Sequence, residues 1–174
     1  MLYPILAFGA ALAATPLAPV PLGGAARAFS LPAVNADVAR SVAGDDEVAL
    51  HEFTGLGAPR AQAAVILHFF ERGAGDQVLA DLARVDQGHD DVVVIGVMAD
   101  PRGLSAVTTW VAGQDLSFPV LFDEHRIVFG RYGVQDSPVT LVIDGEGTVQ
   151  AIGRPMDDSF GADLDKVLAP LLAD

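Results

Sequence analysis

The side chains that could do chemistry in this chain are four histidines, three charged residues in one loop, and a serine before a proline. The histidines are His51, His68, His89 and His125, and their spacing contains no His-x-x-x-His pair or similar metal-ligand pattern. The 174 residues include no cysteine. Every thiol reaction, from peroxide reduction to disulfide exchange, needs the sulfur atom itself. We therefore predict no metal site and no cofactor, and we assign no catalytic residue.

Two other arrangements of polar residues could suggest catalysis, but each has a simpler structural explanation. Ser137 with His125 or His68 could form a hydrolytic dyad, but the chain has no Gly-x-Ser-x-Gly turn and no acid placed to orient the base. His68 lies inside an apolar run, which is more typical of a hydrogen-bonded core or edge histidine. No Gly-x-Gly-x-x-Gly follows a strand, so nucleotide binding has no support.

The loop after that apolar run carries Glu71, Arg72 and Asp76. Such a group could bind a cation or another polar ligand. A charged loop beside the start of a helix is, however, usually a solvated surface. Asp76 directly precedes a helical pattern, and we predict that it is the N-cap of that helix.

The apolar patterns predict one alternating α/β domain that positions these residues. The runs 63–70 and 91–100 indicate buried strands, and between them a helix over 77–87 places Val78, Leu79, Leu82 and Val85 on one face. Two strands that are apolar throughout and joined by a helix indicate a parallel pair with a right-handed crossover.

The second half of the chain predicts a further strand, a hairpin and three helices. The helices are expected at 104–113, at Glu124–Tyr132 and at Phe160–Leu172, and a short strand at 116–123. The hairpin is expected from strands 138–144 and 148–153 around Gly145-Glu146-Gly147. The order is therefore β-α-β-α-(β-α)-β-β-α.

The first 28 residues differ in composition from the rest of the chain. They contain no acid and one base, and a 13-residue apolar run is followed by a Pro/Gly-rich stretch that ends Ala26-Arg27-Ala28. This layout predicts a secretory signal peptide over 1–28, with cleavage after Ala28 and a domain over 29–174. An uncleaved membrane anchor is the alternative, but the run is shorter than the roughly 20 residues that a spanning helix needs. We expect an exported protein, periplasmic or extracellular.

The charge balance excludes two classes of partner. The chain has 23 acidic and 10 basic residues, and its formal net charge is −13 at pH 7. Such a surface repels nucleic acid and anionic lipid. The charge itself does not name a partner; a polypeptide is the one kind that we consider, and the oligomeric state is left open.

Seven segments, in their order and spacing, resemble the thioredoxin-like superfamily, in the branch of exported TlpA-type and redoxin (peroxiredoxin-related) proteins. They are FSLP at 29–32, VAL at 48–50, the strand into Phe69-Phe70, VVVIGV at 92–97, FPVLFD at 118–123, YGV at 132–134 and SPVTLVIDGEGTV at 137–149. The resemblance implies a thioredoxin fold, in which a central mixed β-sheet is flanked by helices, with an extra β-α insertion around 115–132.

The resemblance also implies where the site would lie. In relatives a Cys-x-x-Cys begins the helix after the first central strand, and this motif corresponds here to Ala74, Gly75, Asp76 and Gln77. The peroxiredoxin variant, with a Thr and a Cys in the loop, is absent as well. Pro138 corresponds to a cis-proline that faces the cysteine loop in relatives. The residue before it, here Ser137, would offer its backbone to an extended peptide.

Three functions remain open at this stage. The first is a redox-inactive, cysteine-free protein of the cell envelope that binds a polypeptide through the former active-site loop and the cis-Pro loop. The second is the family's activity as a thiol-disulfide oxidoreductase or peroxiredoxin-like enzyme. The third is a structural domain whose functional surface lies elsewhere, for instance the acidic face or the insertion at 115–123.

Overall fold

Seven strands and five α-helices make up the described part of the chain. The computed structural model describes residues 18–154 and 159–173. The elements are β1 (Ser30–Pro32), α1 (Ala36–Ala43), β2 (Glu47–Ala49), β3 (Ala64–Phe70), α2 (Leu79–Gly88), β4 (Val92–Met98), α3 (Leu104–Ala112), β5 (Val120–Phe122), α4 (Ile127–Tyr132), β6 (Val139–Asp144), β7 (Val149–Gly153) and α5 (Phe160–Leu171).

The main sheet has five strands in the order β5-β4-β3-β6-β7. β3, β4 and β5 run parallel to one another, whereas β6 is antiparallel to both β3 and β7. A separate antiparallel pair joins β1 to β2. The predicted parallel half, antiparallel hairpin and insertion are therefore confirmed, and the fold is the thioredoxin fold.

Both faces of the main sheet are covered, which explains why β3 and β4 are apolar along their whole length. Successive side chains of a strand point to opposite faces. Val65, Leu67 and Phe69 accordingly join the core that includes α1 and α4. Ile66 and Phe70 join the core against α2, α3 and α5. The result is a helix-sheet-helix sandwich whose central strands are protected from water on both sides.

Some boundaries differ from the sequence predictions. The sequence analysis did not predict α1, an eight-residue helix that buries Ala39 and Ala43. α4 begins at Ile127 rather than Glu124. The buried carboxylate of Asp123 accepts the N–H groups of Ile127 (2.8 Å) and Phe129 (2.9 Å), and these bonds set the start of the helix.

The segment before β1 packs on the domain. Residues 1–17 of the predicted signal peptide lie outside the described residues, but residues 18–28 are described. Val20 is 3% exposed and belongs to the core beside α4. Ala25 forms an isolated antiparallel bridge with Thr148, next to β7.

Further contacts hold this segment against α4. The hydroxyl of Tyr132 donates to the carbonyl of Arg27 at 2.7 Å, and Arg131 donates to the carbonyl of Ala28 at 2.8 Å. Within the described ranges, no helix has the length and apolar character needed to cross a membrane.

Candidate functional site

The loop between β3 and α2, predicted to correspond to the cysteine motif of relatives, is a closed turn. Glu71 and Ala74 exchange two backbone hydrogen bonds, of 3.2 and 2.9 Å. The N–H of Gly75 donates a hydrogen bond of 3.1 Å to Oε1 of Gln77. Of the two positions that the resemblance aligns with the cysteines of relatives, Ala74 is half-buried and Gln77 is exposed.

The prediction that Asp76 caps the following helix is wrong. A short 3-10 turn over Asp76–Val78 precedes α2, and no side-chain cap is formed at its start. The carboxylate of Asp76 instead accepts the N–H of Gly73 at 3.3 Å, inside the loop. Asp76 therefore stabilises the turn rather than the helix.

Gly75 brings the loop into direct contact with the proline loop. The Ser137–Pro138 peptide bond is cis. A Cβ atom at Gly75 would lie 2.6 Å from Cβ of Pro138 and 3.1 Å from Cβ of Phe70, and Gly75 has a φ of +99°. Only glycine fits this conformation and this space. Gly75 and Pro138, predicted to face each other, are thus side by side.

His68 lies beneath this contact and is fully buried. Its Nε2 is 3.2 Å from the carbonyl oxygen of Gly75, and its Nδ1 is 2.8 Å from Oγ1 of Thr140. A carbonyl oxygen can only accept, so Nε2 carries the hydrogen and Nδ1 accepts from the Thr140 hydroxyl. The imidazole therefore links the loop to β6. The interpretation of His68 as a hydrogen-bonded core histidine is confirmed.

The environment of His68 keeps the ring neutral. Burial lowers the pKa of His68 from 6.5 to about 4, because the charged form would be desolvated. The ring also stacks on Phe70, with the centroids 5.2 Å apart. Since both nitrogens are engaged within the fold, His68 has none left to activate Ser137, and a dyad between these two residues has no geometric basis.

Thr140 is the member of this site that the sequence did not reveal. It lies opposite His68 in the antiparallel register of β3 and β6. The two residues are 72 positions apart, so only the strand pairing brings them together. The only signal in the sequence was a threonine inside an otherwise apolar strand. Its partner could not be predicted, because the register of the two strands was not known.

Ser137 directly precedes the cis-proline of the candidate site. Ser137 is half-buried and lies in a bend just before β6. Among the described residues, no backbone hydrogen bond involves its N–H or its carbonyl. Both backbone groups are therefore without a backbone partner in the described part of the chain.

An ion pair ties the loop between β3 and α2 to the segment before Ser137. Glu71 pairs with Arg126, whose guanidinium lies 4.4 Å above the ring of Phe129. Arg126 also donates to the carbonyl of Gln135 at 3.0 Å. In the part of the chain that the structure describes, no three His, Asp or Glu residues come close enough to hold a metal ion.

The comparison with protein families agrees with this geometry. The model of the AhpC/TSA family matches residues 22–152. The chain belongs to the AhpC/TSA family. The chain is thus a thioredoxin-fold member of a redoxin family, and this member contains no cysteine. No curated protein matches the chain by sequence.

Solved structures share the fold. A protein from Chlorobium tepidum, provisionally described as the thiol:disulfide interchange protein DsbE, superposes with a TM-score of 0.73 at 20% identity, over 88% of this chain and 99% of that chain. The exposed lipoprotein thioredoxin Etrx1 of Streptococcus pneumoniae gives a TM-score of 0.61 at 21% identity, over 81% and 98%. A secreted Mycobacterium tuberculosis disulfide oxidoreductase gives 0.58 at 15%, over 82% and 95%. At these identities the likeness establishes the fold alone.

Proposed function

We propose that this protein is a redox-inactive member of its family that binds an extended segment of a polypeptide. The binding face consists of the loop Ala74–Gln77 and the cis-Pro loop, Ser137 and Pro138, and we call it the cysteine-free face. Polypeptide binding here involves no covalent step, since the chain has no thiol to form a mixed disulfide.

The observation that carries this proposal is the free backbone of Ser137 beside a closed loop. An extended peptide can add to an exposed backbone edge by β-type hydrogen bonds. Ser137 offers one donor and one acceptor that no described residue uses. The contact between Gly75 and Pro138 holds the two halves of the face together, so the face is preformed rather than assembled on binding.

The family's redox activity is the second candidate function, and the family match is what favours it. Its mechanism needs a thiolate, and Ala74 and Gln77 supply neither a nucleophile nor a leaving group. We expect purified protein to show no disulfide reductase or peroxidase turnover above buffer. Clear turnover would refute the redox-inactive assignment.

We further propose that the protein is exported, with processing N-terminal to Ala18 rather than after Ala28. The apolar run in residues 2–14 supports export. The packing of residues 18–28 supports the earlier boundary, since cleavage after Ala28 would remove buried Val20 from the core. Two fold neighbours are described as secreted or as an exposed lipoprotein, in keeping with an envelope or extracellular location.

Affinity capture from a cell-envelope fraction tests the polypeptide-binding proposal. The bait is the folded protein, beside Pro138→Ala and the matched control Pro59→Ala, which changes an exposed proline away from the cysteine-free face. Circular dichroism confirms that each variant is folded. We expect the wild type and Pro59→Ala to retain the same polypeptides and Pro138→Ala to lose them. Equal capture by all three, or capture by none, would contradict the proposal.

A further inference from the structure

Two arginines converge on one buried carboxylate next to the cysteine-free face. Arg102 donates to Asp100 from Nε at 2.9 Å, from Nη2 at 2.8 Å and from its backbone N–H at 2.9 Å. Arg72 donates to the same carboxylate from Nη2 at 3.3 Å. The side chain of Asp100 is 1% exposed. The hydrogen bonds from Arg102 lower the pKa of Asp100 to about 2, so the group is fixed in place as an anion.

One positive charge is left over in this cluster. Two guanidinium groups face a single carboxylate, in a chain whose acidic residues outnumber its basic residues by 23 to 10. The Nε–H of Arg72 is buried and has no acceptor among the described residues. Arg102 remains 54% exposed. The cluster therefore keeps cationic donor capacity that the protein itself does not use.

The cluster lines an open groove of about 520 Å³. Besides Arg72 and Arg102, the groove is lined by Ser105, Ala106, Thr109 and Trp110, and none of the described residues that line it is acidic. Ser105 and Ala106 lie in the first turn of α3, where the positive end of the helix dipole adds to the potential. The half-buried indole of Trp110 supplies an apolar wall.

These features match one chemical group. Guanidinium N–H groups donate charge-assisted hydrogen bonds to carboxylates, and the Nη1 atoms of Arg72 and Arg102 have no hydrogen-bond partner among the described residues. A single excess positive charge balances a monoanion better than a phosphate dianion. The wall formed by Trp110 can pack against the short aliphatic stem of an acidic side chain. Arg72 belongs to the same loop between β3 and α2 that contributes Ala74–Gln77 to the cysteine-free face.

We propose that Arg72 and Arg102 bind an acidic side chain, Asp or Glu, of the polypeptide that occupies the cysteine-free face. This inference rests on the proposed function and adds the chemistry of its partner. The excess charge selects for a carboxylate at one position of the bound segment. Elsewhere the strongly acidic surface of the protein repels acidic residues.

Tryptophan fluorescence tests this directly, because Trp110 is the only tryptophan of the chain. The probes are the peptides acetyl-Ala-Val-Glu-Val-Ala-amide and acetyl-Ala-Val-Gln-Val-Ala-amide, which differ by one charge. We expect the Glu peptide to bind about tenfold more tightly, as one charge-assisted hydrogen-bonded pair is added. A third peptide, with Gln and a free C-terminal carboxylate, should bind like the Gln peptide.

Variants separate this inference from the proposed function. Arg72→Gln should remove the difference in affinity between the Glu and Gln peptides. Arg40→Gln, which breaks an exposed ion pair in α1, should keep that difference. Pro138→Ala should weaken both peptides by the same factor. If Arg72→Gln fails to fold, Arg102→Lys replaces it: this variant keeps a cation beside Asp100 but loses the free Nη1 of the guanidinium, and it should reduce the preference for the Glu peptide.

Each outcome has one reading. Equal affinity of the wild type for the Glu and Gln peptides would overturn the inference. The proposed function would then be judged separately, by whether Pro138→Ala weakens the binding of both peptides. A preference for the free C-terminal carboxylate over the Glu side chain would also overturn it. If Pro138→Ala changes neither affinity while the preference for Glu persists, the polypeptide face is refuted and the combined assignment fails with it.

Discussion

The pH dependence of stability should report the burial of His68. Its pKa is lowered from 6.5 to about 4 in the folded protein, because the imidazole is fully buried and the charged form is desolvated. The unfolded chain therefore binds more protons than the folded protein as pH falls below about 6.5. The free energy of unfolding that depends on a neutral His68 is therefore fully present at neutral pH. It is lost progressively as the pH falls toward 4.

The size of the loss follows from the two pKa values. At pH 5 it is about 2 kcal/mol, and it approaches about 3.4 kcal/mol below both values. Protonation places the second hydrogen of the ring on Nδ1, so the bond to Thr140 must reverse, with Nδ1 donating and the Thr140 hydroxyl oxygen accepting. We expect urea unfolding to show this loss between pH 7.5 and pH 5 in the wild type.

His68→Gln is the informative variant, because glutamine keeps polar groups but does not titrate. It should be less stable than the wild type at pH 7.5, and the gap should narrow by about 2 kcal/mol at pH 5. Carboxylates titrate in both proteins, so their contribution cancels in the difference. His51→Gln, at an exposed position, should follow the wild type. Parallel curves for the wild type and His68→Gln would refute the reasoning from burial.

Two further perturbations test the packing of the face and of the N-terminal segment. Gly75→Ala should cost about 3 kcal/mol of unfolding free energy, since its Cβ would clash with Pro138, whereas Gly73→Ala, at φ +80° with nothing within 4 Å, should cost about 1 kcal/mol. Equal losses in urea unfolding would contradict the clash. Deletion of residues 1–17 should leave the unfolding midpoint unchanged, but deletion of 1–28 should cost about 3–5 kcal/mol, since it removes a buried valine and several hydrogen bonds. Equal midpoints for the two deletions would show that the segment adds no stability.

The sequence alone determined the central sheet and the absence of thiol chemistry. The strands over 64–70 and 92–98 are covered on both faces, so they must be apolar throughout and are visible as continuous runs. The absence of cysteine is a property of composition and needs no coordinates. The positions of Ala74–Gln77 and Pro138 followed from a resemblance carried by the order and spacing of several short segments.

Short elements and boundaries were harder to predict. β1 and β2 have three residues each, which is too few for an alternating pattern to stand out. The packing of residues 18–28 was hidden because their composition is that of a signal peptide. That packing depends on Val20 meeting Tyr132, more than 100 residues away.

Only the tertiary structure decided how the site is held together. His68 meets Thr140 through the register of β3 and β6, and Arg72 meets Arg102 on Asp100 because two neighbouring parallel strands end at the same edge of the sheet. Local patterns encode which face of an element is buried. They do not encode which distant polar groups meet, because that depends on strand order and register, and these are set by the packing of the whole domain.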